Sequence, residues 1–165
     1  MSELKSLVSF SKYAGTRFDL VQAGGGNSSV KQADGRMLIK SSGVQLADLA
    51  PDYGISAVDY RRIRDFIKEI STQSLSKDEL ESEAKLFLQG ANLNQASRPS
   101  IETFLHALTP FKFTLHTHPL LVNVVAARKT WEEEFQSLFP DAHFLRYFTP
   151  GIELAIELLG QSSDK

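Results

Sequence analysis

Two histidines in the second half of the chain have a spacing that suits metal binding. His116 and His118 close a run in which apolar and polar residues alternate, Phe-Lys-Phe-Thr-Leu-His-Thr-His-Pro at residues 111–119. Such alternation predicts a strand, and side chains two residues apart on a strand project from the same face. Taken alone, paired histidines can equally be structural. Side by side at a strand end, however, they form half of a metal site, for which we expect zinc or another divalent ion.

A carboxylate upstream of the pair strengthens the metal interpretation. Ser100 has the residue type of a helix N-cap, which would place Glu102 in the first helical turn and His106 one turn later on the same face. A carboxylate and the two histidines could then converge on one point. The alternative is that Glu102 only complements the helix dipole, as acidic residues in a first turn often do.

A glycine loop and a hairpin supply candidate donors for an anion. Gly24–Gly26 precedes Asn-Ser-Ser, and consecutive glycines let the backbone approach a ligand closely. Residues 30–40 predict a hairpin with Asp34-Gly35 at its turn, so the polar residues at its two open ends become neighbours. Amides, hydroxyls and an ammonium suit a phosphate or carboxylate, although two solvent loops remain the alternative. The candidate residues are Gly26, Asn27, Ser28, Lys40, Ser42 and Gly43.

The composition is that of an ordinary globular domain. The 165 residues are 42% hydrophobic and 23% charged, with a net charge of −2, which gives no reason to expect nucleic acid or an anionic membrane as a partner. The absence of cysteine excludes a thiolate metal site, so a metal must be held by nitrogen and oxygen. The polar N-terminus and the lack of a long apolar run lead us to expect a cytoplasmic protein.

The remaining patterns predict the scaffold around these residues. Apolar residues at helical spacing predict several amphipathic helices, whereas the run from His143 to Phe148 predicts a strand. The predicted helices cover residues 4–14, 58–70, 77–89, 120–127, 131–139 and 150–159.

In combination the motifs resemble the class II aldolase/adducin family. The motifs are Gly-Gly-Gly-Asn-Ser-Ser, Leu-Ile-Lys-Ser-Ser-Gly, Pro-Ser-Ile-Glu-Thr-Phe-Leu-His and His-Thr-His-Pro, and the resemblance extends over residues 6–159. It implies an α/β fold, a three-layer α/β/α sandwich with a central, largely antiparallel mixed sheet. It also implies a bound zinc or other divalent ion and a homo-oligomer, commonly a tetramer.

The resemblance assigns roles to particular positions. His116 and His118 match the family's metal-ligand pair, and Glu102 matches its catalytic carboxylate. Asn27 with its loop, together with Ser42-Gly43, matches the cradle for the substrate phosphate, and Ser100 matches its flank.

Two departures concern the anion cradle. The family usually has Ser-Ser-Glu where this chain has Ser100-Ile101-Glu102, so a hydroxyl is missing from the expected phosphate site. The usual Thr-Pro-Ser/Thr-Gly is replaced by Lys40-Ser-Ser-Gly, and charge could substitute for the hydroxyl.

A third departure concerns the metal. Aldolases of the family take a third histidine from an Asn/Gln-His-Gly segment downstream of the pair, and none follows His118. We therefore expect residues 1–165 to form a single domain without that ligand. Either another residue is the third ligand, or the chain is a truncated or divergent form.

The predicted residues fit one kind of chemistry. A divalent ion polarises the carbonyl and hydroxyl oxygens of a ketose and stabilises an enediolate, while Glu102 moves the proton beside the carbonyl. Aldol cleavage of a sugar phosphate or related hydroxy-carbonyl compound, epimerisation and dehydration all share this logic. Tyr147 is a candidate for protonating the leaving aldehyde by residue type only. A non-catalytic, adducin-like interaction domain is the alternative from another class.

Overall fold

A four-stranded antiparallel sheet organises the described part of the chain. The computed structural model describes residues 2–94, 97–142 and 144–163. The strands are β1 (Asn27–Lys31), β2 (Arg36–Lys40), β3 (Ile55–Asp59) and β4 (Phe113–His116), in the spatial order β3-β2-β1-β4. The helices are α1 (Glu3–Gly15), α2 (Tyr60–Ile70), α3 (Lys77–Gly90), α4 (Thr103–Leu108), α5 (Leu120–Ala126), α6 (Trp131–Leu138) and α7 (Ile152–Ser163), with a 3-10 turn at Leu46–Asp48.

Helices cover both faces of the sheet, which confirms the expected three-layer α/β/α sandwich. α1 and the 3-10 turn pack on one face, whereas α2, α4 and α7 pack on the other, with α3 against α7. Every pairing between the described strands is antiparallel. The core between the sheet and the second helical layer contains Met37, Ile39, Val58, Ile63, Ile67, Phe104, Ala107, Ile152 and Ala155.

The predicted hairpin is present, and its first strand begins three residues earlier than expected. Ser29 pairs with Ile39 and Lys31 with Met37, and Gly35 adopts a φ of 95° at the turn. Such a φ strains any residue with a side chain, which explains glycine there. Asn27, Ser28 and Ser29 belong to β1 rather than to the glycine loop. Alternation along β1 therefore sends the side chains of Asn27 and Ser29 to one face and that of Ser28 to the other.

Strand β3 was missed by the sequence interpretation. Val58 fits the helical spacing of the residues after it, but it lies on β3, paired with Met37. The helix begins immediately after the strand, because the side chain of Asp59 caps α2 by accepting hydrogen bonds from the N–H groups of Arg61 and Arg62. Because no loop separates β3 from α2, the two-residue period of the strand runs directly into the 3.6-residue period of the helix, and the sequence pattern shows no boundary between them.

The predicted strand at 143–148 is wrong for its described residues. Residues 144–148 form no strand, and His143 lies outside the described residues. The aromatic side chains are instead used in local packing: Phe144 lies 5.5 Å from Phe135 of α6, and Arg146 lies 4.9 Å from the ring centre of Phe148. α7 then begins at Ile152 and continues past Gly160 to Ser163. Among the described helices, none has the length and apolar character needed to cross a membrane.

Candidate metal centre

Glu102, His116 and His118 come together in the folded chain. The Nε2 atoms of the two histidines are 3.1 Å apart, and His116 Nδ1 lies 2.9 Å from Glu102 Oε1. One potential ligand atom from each of the three residues lies within 4.8 Å of the others. The predicted convergence of a carboxylate with the histidine pair is therefore present in the structure.

Contacts across the sheet position the two histidines. His116 is the last residue of β4 and pairs with Asn27 on β1. His118 lies beyond the strand end, where its N–H donates to the carbonyl of Leu20 at 2.8 Å. This bond keeps the chain extended past His116, so the rings remain on the same side.

The glycine loop makes room for these residues. A Cβ at Gly25 would stand 2.9 Å from His118 Nδ1, so only glycine allows the observed ring position without displacement. Gly26 has a φ of 73°, and a Cβ there would lie 2.8 Å from the carbonyl oxygen of His116. Glycine at these two positions thus allows the loop to lie close against the histidine segment.

Glu102 sits at the N-terminus of α4, which begins two residues later than expected. The helix begins at Thr103, and Glu102 is the residue before its first turn, so the prediction of Ser100 as N-cap is wrong. A turn precedes the helix instead: the N–H of Thr103 donates to the carbonyl of Ser100 at 3.0 Å. The Oγ of Ser100 lies 3.4 Å from Glu102 Oε2, so Ser100 still borders the carboxylate.

Asn27 orients the carboxylate from beneath. Its Nδ2 donates to Glu102 Oε2 at 3.0 Å, and its own side chain is fully buried. Burial by itself would raise the pKa of Glu102, but the hydrogen bond and charge of His116, with the Asn27 amide, outweigh it and lower the pKa to about 2. Glu102 is therefore a carboxylate whose two oxygens are held by different partners.

The donor set fits a divalent ion. Burial, and then the charge of His116, lower the pKa of His118, with Glu102 opposing them, so the neutral imidazole that a metal requires is favoured. His116 Nδ1 faces the carboxylate while its Nε2 faces His118, the arrangement in which a carboxylate fixes the tautomer of a metal-binding histidine. Two nitrogens and an oxygen suit zinc.

His106 shares the face of Glu102 but does not join this cluster. Its Nδ1 lies 2.7 Å from Ser29 Oγ, and its Nε2 is buried without a hydrogen-bond partner among the described residues. Burial lowers its pKa to about 4, so the ring is neutral at physiological pH. His106 thus belongs to the contact between α4 and the sheet.

The candidate anion residues divide into buried and accessible groups. Ser28 is fully buried on the opposite face of the sheet, where Ser11 Oγ donates to its hydroxyl at 2.7 Å. Gly26 is also buried. Lys40 is 3% exposed, and its Nζ donates to the carbonyl of Val44 at 2.8 Å, so its ammonium points into its own loop.

Ser42, Gly43 and Ser100 remain accessible. Ser42 and Ser100 line a cavity of about 890 Å³ between α3, the segment before α4 and the start of α7. Arg98 lines the same cavity, and sequence reasoning did not single it out. Its position two residues before Ser100 was the only available signal. Tyr147, proposed by residue type, is 90% exposed.

Comparison with known proteins identifies the family. The family described as Class II Aldolase and Adducin N-terminal domain matches residues 5–163. The chain belongs to this family. It is 28% identical over 163 residues to YuxG, an uncharacterized oxidoreductase of Bacillus subtilis, and this match covers 92% of the chain and 22% of that protein. The chain thus spans about a fifth of the length of this curated relative.

Solved structures share the fold. The N-terminal class II aldolase domain of a conserved protein from Thermoplasma acidophilum superposes with a TM-score of 0.82 at 25% identity, over 97% of this chain and 75% of that one. L-fuculose-1-phosphate aldolase from Thermus thermophilus has a TM-score of 0.55 at 19% identity, over 95% and 69% of the two chains. The expected class II aldolase fold is confirmed.

Proposed function

We propose that this class II aldolase domain is a divalent-metal-dependent, aldolase-type lyase that acts on a sugar phosphate or a related hydroxy-carbonyl compound. The observation that carries the proposal is the convergence of Glu102, His116 and His118 within 4.8 Å. A domain without catalytic function has no need to keep a carboxylate and two histidines in this arrangement. Family membership supports the aldolase type of reaction.

The histidines would hold the ion through their adjacent Nε2 atoms, with Glu102 as a third ligand or as the partner of His116 Nδ1. When bound, the ion supplies polarisation of the carbonyl and hydroxyl oxygens of the substrate. Zinc is the ion that this donor set suits best, since imidazole nitrogens and a carboxylate oxygen are among its usual ligands and the set has too few oxygens for calcium.

Glu102 would move the proton next to the substrate carbonyl. It is ionised and 18% exposed, so it can accept a proton from a group bound beside it. In the free protein its contact with His116 makes it a weak base. Opening that contact would let burial raise the pKa of Glu102, which would strengthen it as a base when substrate is present.

Metal binding is the first test. Elemental analysis of zinc-reconstituted protein should give about one ion per chain, and the His116→Ala/His118→Ala double variant should lose it. His106→Ala is the matched control, since His106 lies outside the cluster. Equal zinc in the wild type and the double variant would refute the site.

Proton exchange tests the role of Glu102. A Glu102→Gln variant should retain zinc but lose exchange at the carbon beside the carbonyl in deuterated water, because an amide keeps the shape but cannot accept the proton. Exchange reports proton removal whether cleavage, epimerisation or dehydration follows, and product analysis then separates these three. Full exchange by the variant would contradict the assignment of the base. A wild type that binds zinc without exchange would favour the adducin-like interaction domain.

A further inference from the structure

Arg98 lines the cavity beside the chain segment that leads to Glu102. It lines the cavity together with Ser42 and Ser100, and Ser100 Oγ lies 3.4 Å from the carboxylate of Glu102. A ligand whose reactive carbon lies beside Glu102 can therefore extend past Ser100 towards the guanidinium. Arg98 is thus placed to contact the far end of such a ligand.

The position of Arg98 is fixed by its own backbone and side chain. The N–H of Ser42 donates to the carbonyl of Arg98 at 2.8 Å, and Arg98 Nη2 donates to Ser42 Oγ at 3.0 Å. Ser41 and Pro99 form a bridge between the same two segments. The guanidinium is consequently held against the loop after β2, at the place where the sequence predicts an anion.

The charge of Arg98 is available to a ligand. Across residues 2–94, 97–142 and 144–163 the guanidinium forms no ion pair, and one hydroxyl uses only one of its five donors. A guanidinium fork matches the paired oxygens of a phosphate or carboxylate. The N–H of Gly43, at the exposed turn beside it, offers a further donor.

Two neighbouring residues, Ile101 and Lys40, offer no charge to an anion in the cavity. Ile101 is 52% exposed and lines the cavity, so this part of the wall offers an apolar surface. Lys40 does not offer its charge, since its ammonium is buried beneath the loop on the carbonyls of Val44 and Ser41. Of the two cations beside the loop after β2, Lys40 and Arg98, only Arg98 lines the cavity.

We propose that Arg98 is the specificity-determining residue of this site and binds the terminal oxyanion of the substrate, a phosphate or a carboxylate, together with Ser42 and the N–H of Gly43. The proposal deepens the proposed function, on which it rests for the identity of the site as a substrate site. The family usually has a serine at the position of Ile101. In this proposal the guanidinium of Arg98 takes over the binding of the oxyanion from that missing hydroxyl.

Anion binding to the metal-free protein tests the proposal. Titrations with methyl phosphate and with propionate should show which oxyanion binds, and Arg98→Ala should weaken the preferred one by about ten- to a hundredfold, the value of a charge-assisted hydrogen-bonded pair. Arg98→Lys should recover part of the affinity, because it restores charge without the fork. Lys85→Ala is the matched control, since Lys85 is an exposed cation lining the same cavity on α3.

The outcomes separate the two proposals. An Arg98→Ala variant that binds both anions as tightly as the wild type, or a Lys85→Ala variant that is weakened equally, overturns the role of Arg98. Absence of binding of either anion to the wild type overturns it as well. Zinc content is measured independently, so protein that binds an anion through Arg98 but takes up no metal supports this inference while refuting the metal-dependent reaction.

Discussion

A single methyl group added to the glycine loop should weaken zinc binding at the candidate metal centre. In Gly25→Ala the new Cβ would stand 2.9 Å from His118 Nδ1 and 3.0 Å from the carbonyl oxygen of Gln22. Gly25 is not among the glycines with positive φ, so alanine brings no backbone strain. The main effect of the substitution is therefore a local push on the imidazole, with a second tight contact to the backbone of the same loop.

The size of the push can be worked out from the structure. A carbon and a nitrogen that are not bonded to each other settle about 3.5 Å apart, so the ring must move by roughly 0.6 Å from its contact at 2.9 Å. Metal ligands tolerate about 0.2 Å of error in their distances. The displacement exceeds this tolerance, and we expect zinc affinity to fall by about ten- to a hundredfold, the range seen when the support of a ligand is removed.

The neighbouring glycine provides the control. A Cβ at Gly24 meets nothing within 4 Å, so Gly24→Ala changes the same loop without touching His118. Competition with a chromophoric zinc chelator gives the affinities, and thermal unfolding of the metal-free proteins shows whether both variants fold. Equal zinc affinity in Gly25→Ala and Gly24→Ala, with both proteins folded, would refute the assignment of His118 as a ligand.

Two further predictions concern buried ionisable groups. The folded pKa of His106, about 4, lies below its ordinary value of 6.5, so the unfolded chain takes up the proton first and stability falls by up to about 3 kcal/mol as the pH drops from 6.5 towards 4. Urea unfolding at stepped pH should show this loss in the wild type and a smaller one in His106→Leu; parallel curves would contradict it. Lys40→Met should cost about 1–3 kcal/mol in thermal unfolding, because the carbonyl of Val44 loses a charged donor, and an unchanged midpoint would show that the contact contributes nothing.

The site was predictable where chemistry and local periodicity coincide. The alternation before His116 and His118 is enough to put both rings on one side, and Asp34-Gly35 is enough to define the hairpin. Glu102 was placed near them by a helix start that proved to be two residues off, an error too small to move the carboxylate elsewhere.

The directions in which side chains point within the site could not be predicted from sequence patterns. Whether Lys40 faces a ligand or its own loop depends on the turn at Ser41–Gly43, which sequence patterns do not specify. Ser28 was assigned to the anion-binding loop because β1 starts three residues before the predicted strand, whereas its side chain is buried against Ser11 of α1. Residues 144–148 are rich in the aromatic types typical of strands but pair with no strand in the described part of the chain, and pairing is a property of the whole fold.

The carboxylate of the candidate site owes its position to a row of polar contacts between β1 and α4. Three side chains from the same face of β1 meet α4 and its ends in succession: Asn27 contacts Glu102, Ser29 contacts His106, and Lys31 contacts Thr109. Two residues of strand advance about 6.8 Å, and three to four residues of helix advance about 4.5–6 Å, so the two spacings nearly match over this short helix. A buried polar contact is costly to break, which gives each pairing a defined register that apolar packing alone would leave looser. These polar contacts between β1 and α4 therefore hold Glu102 beside His116.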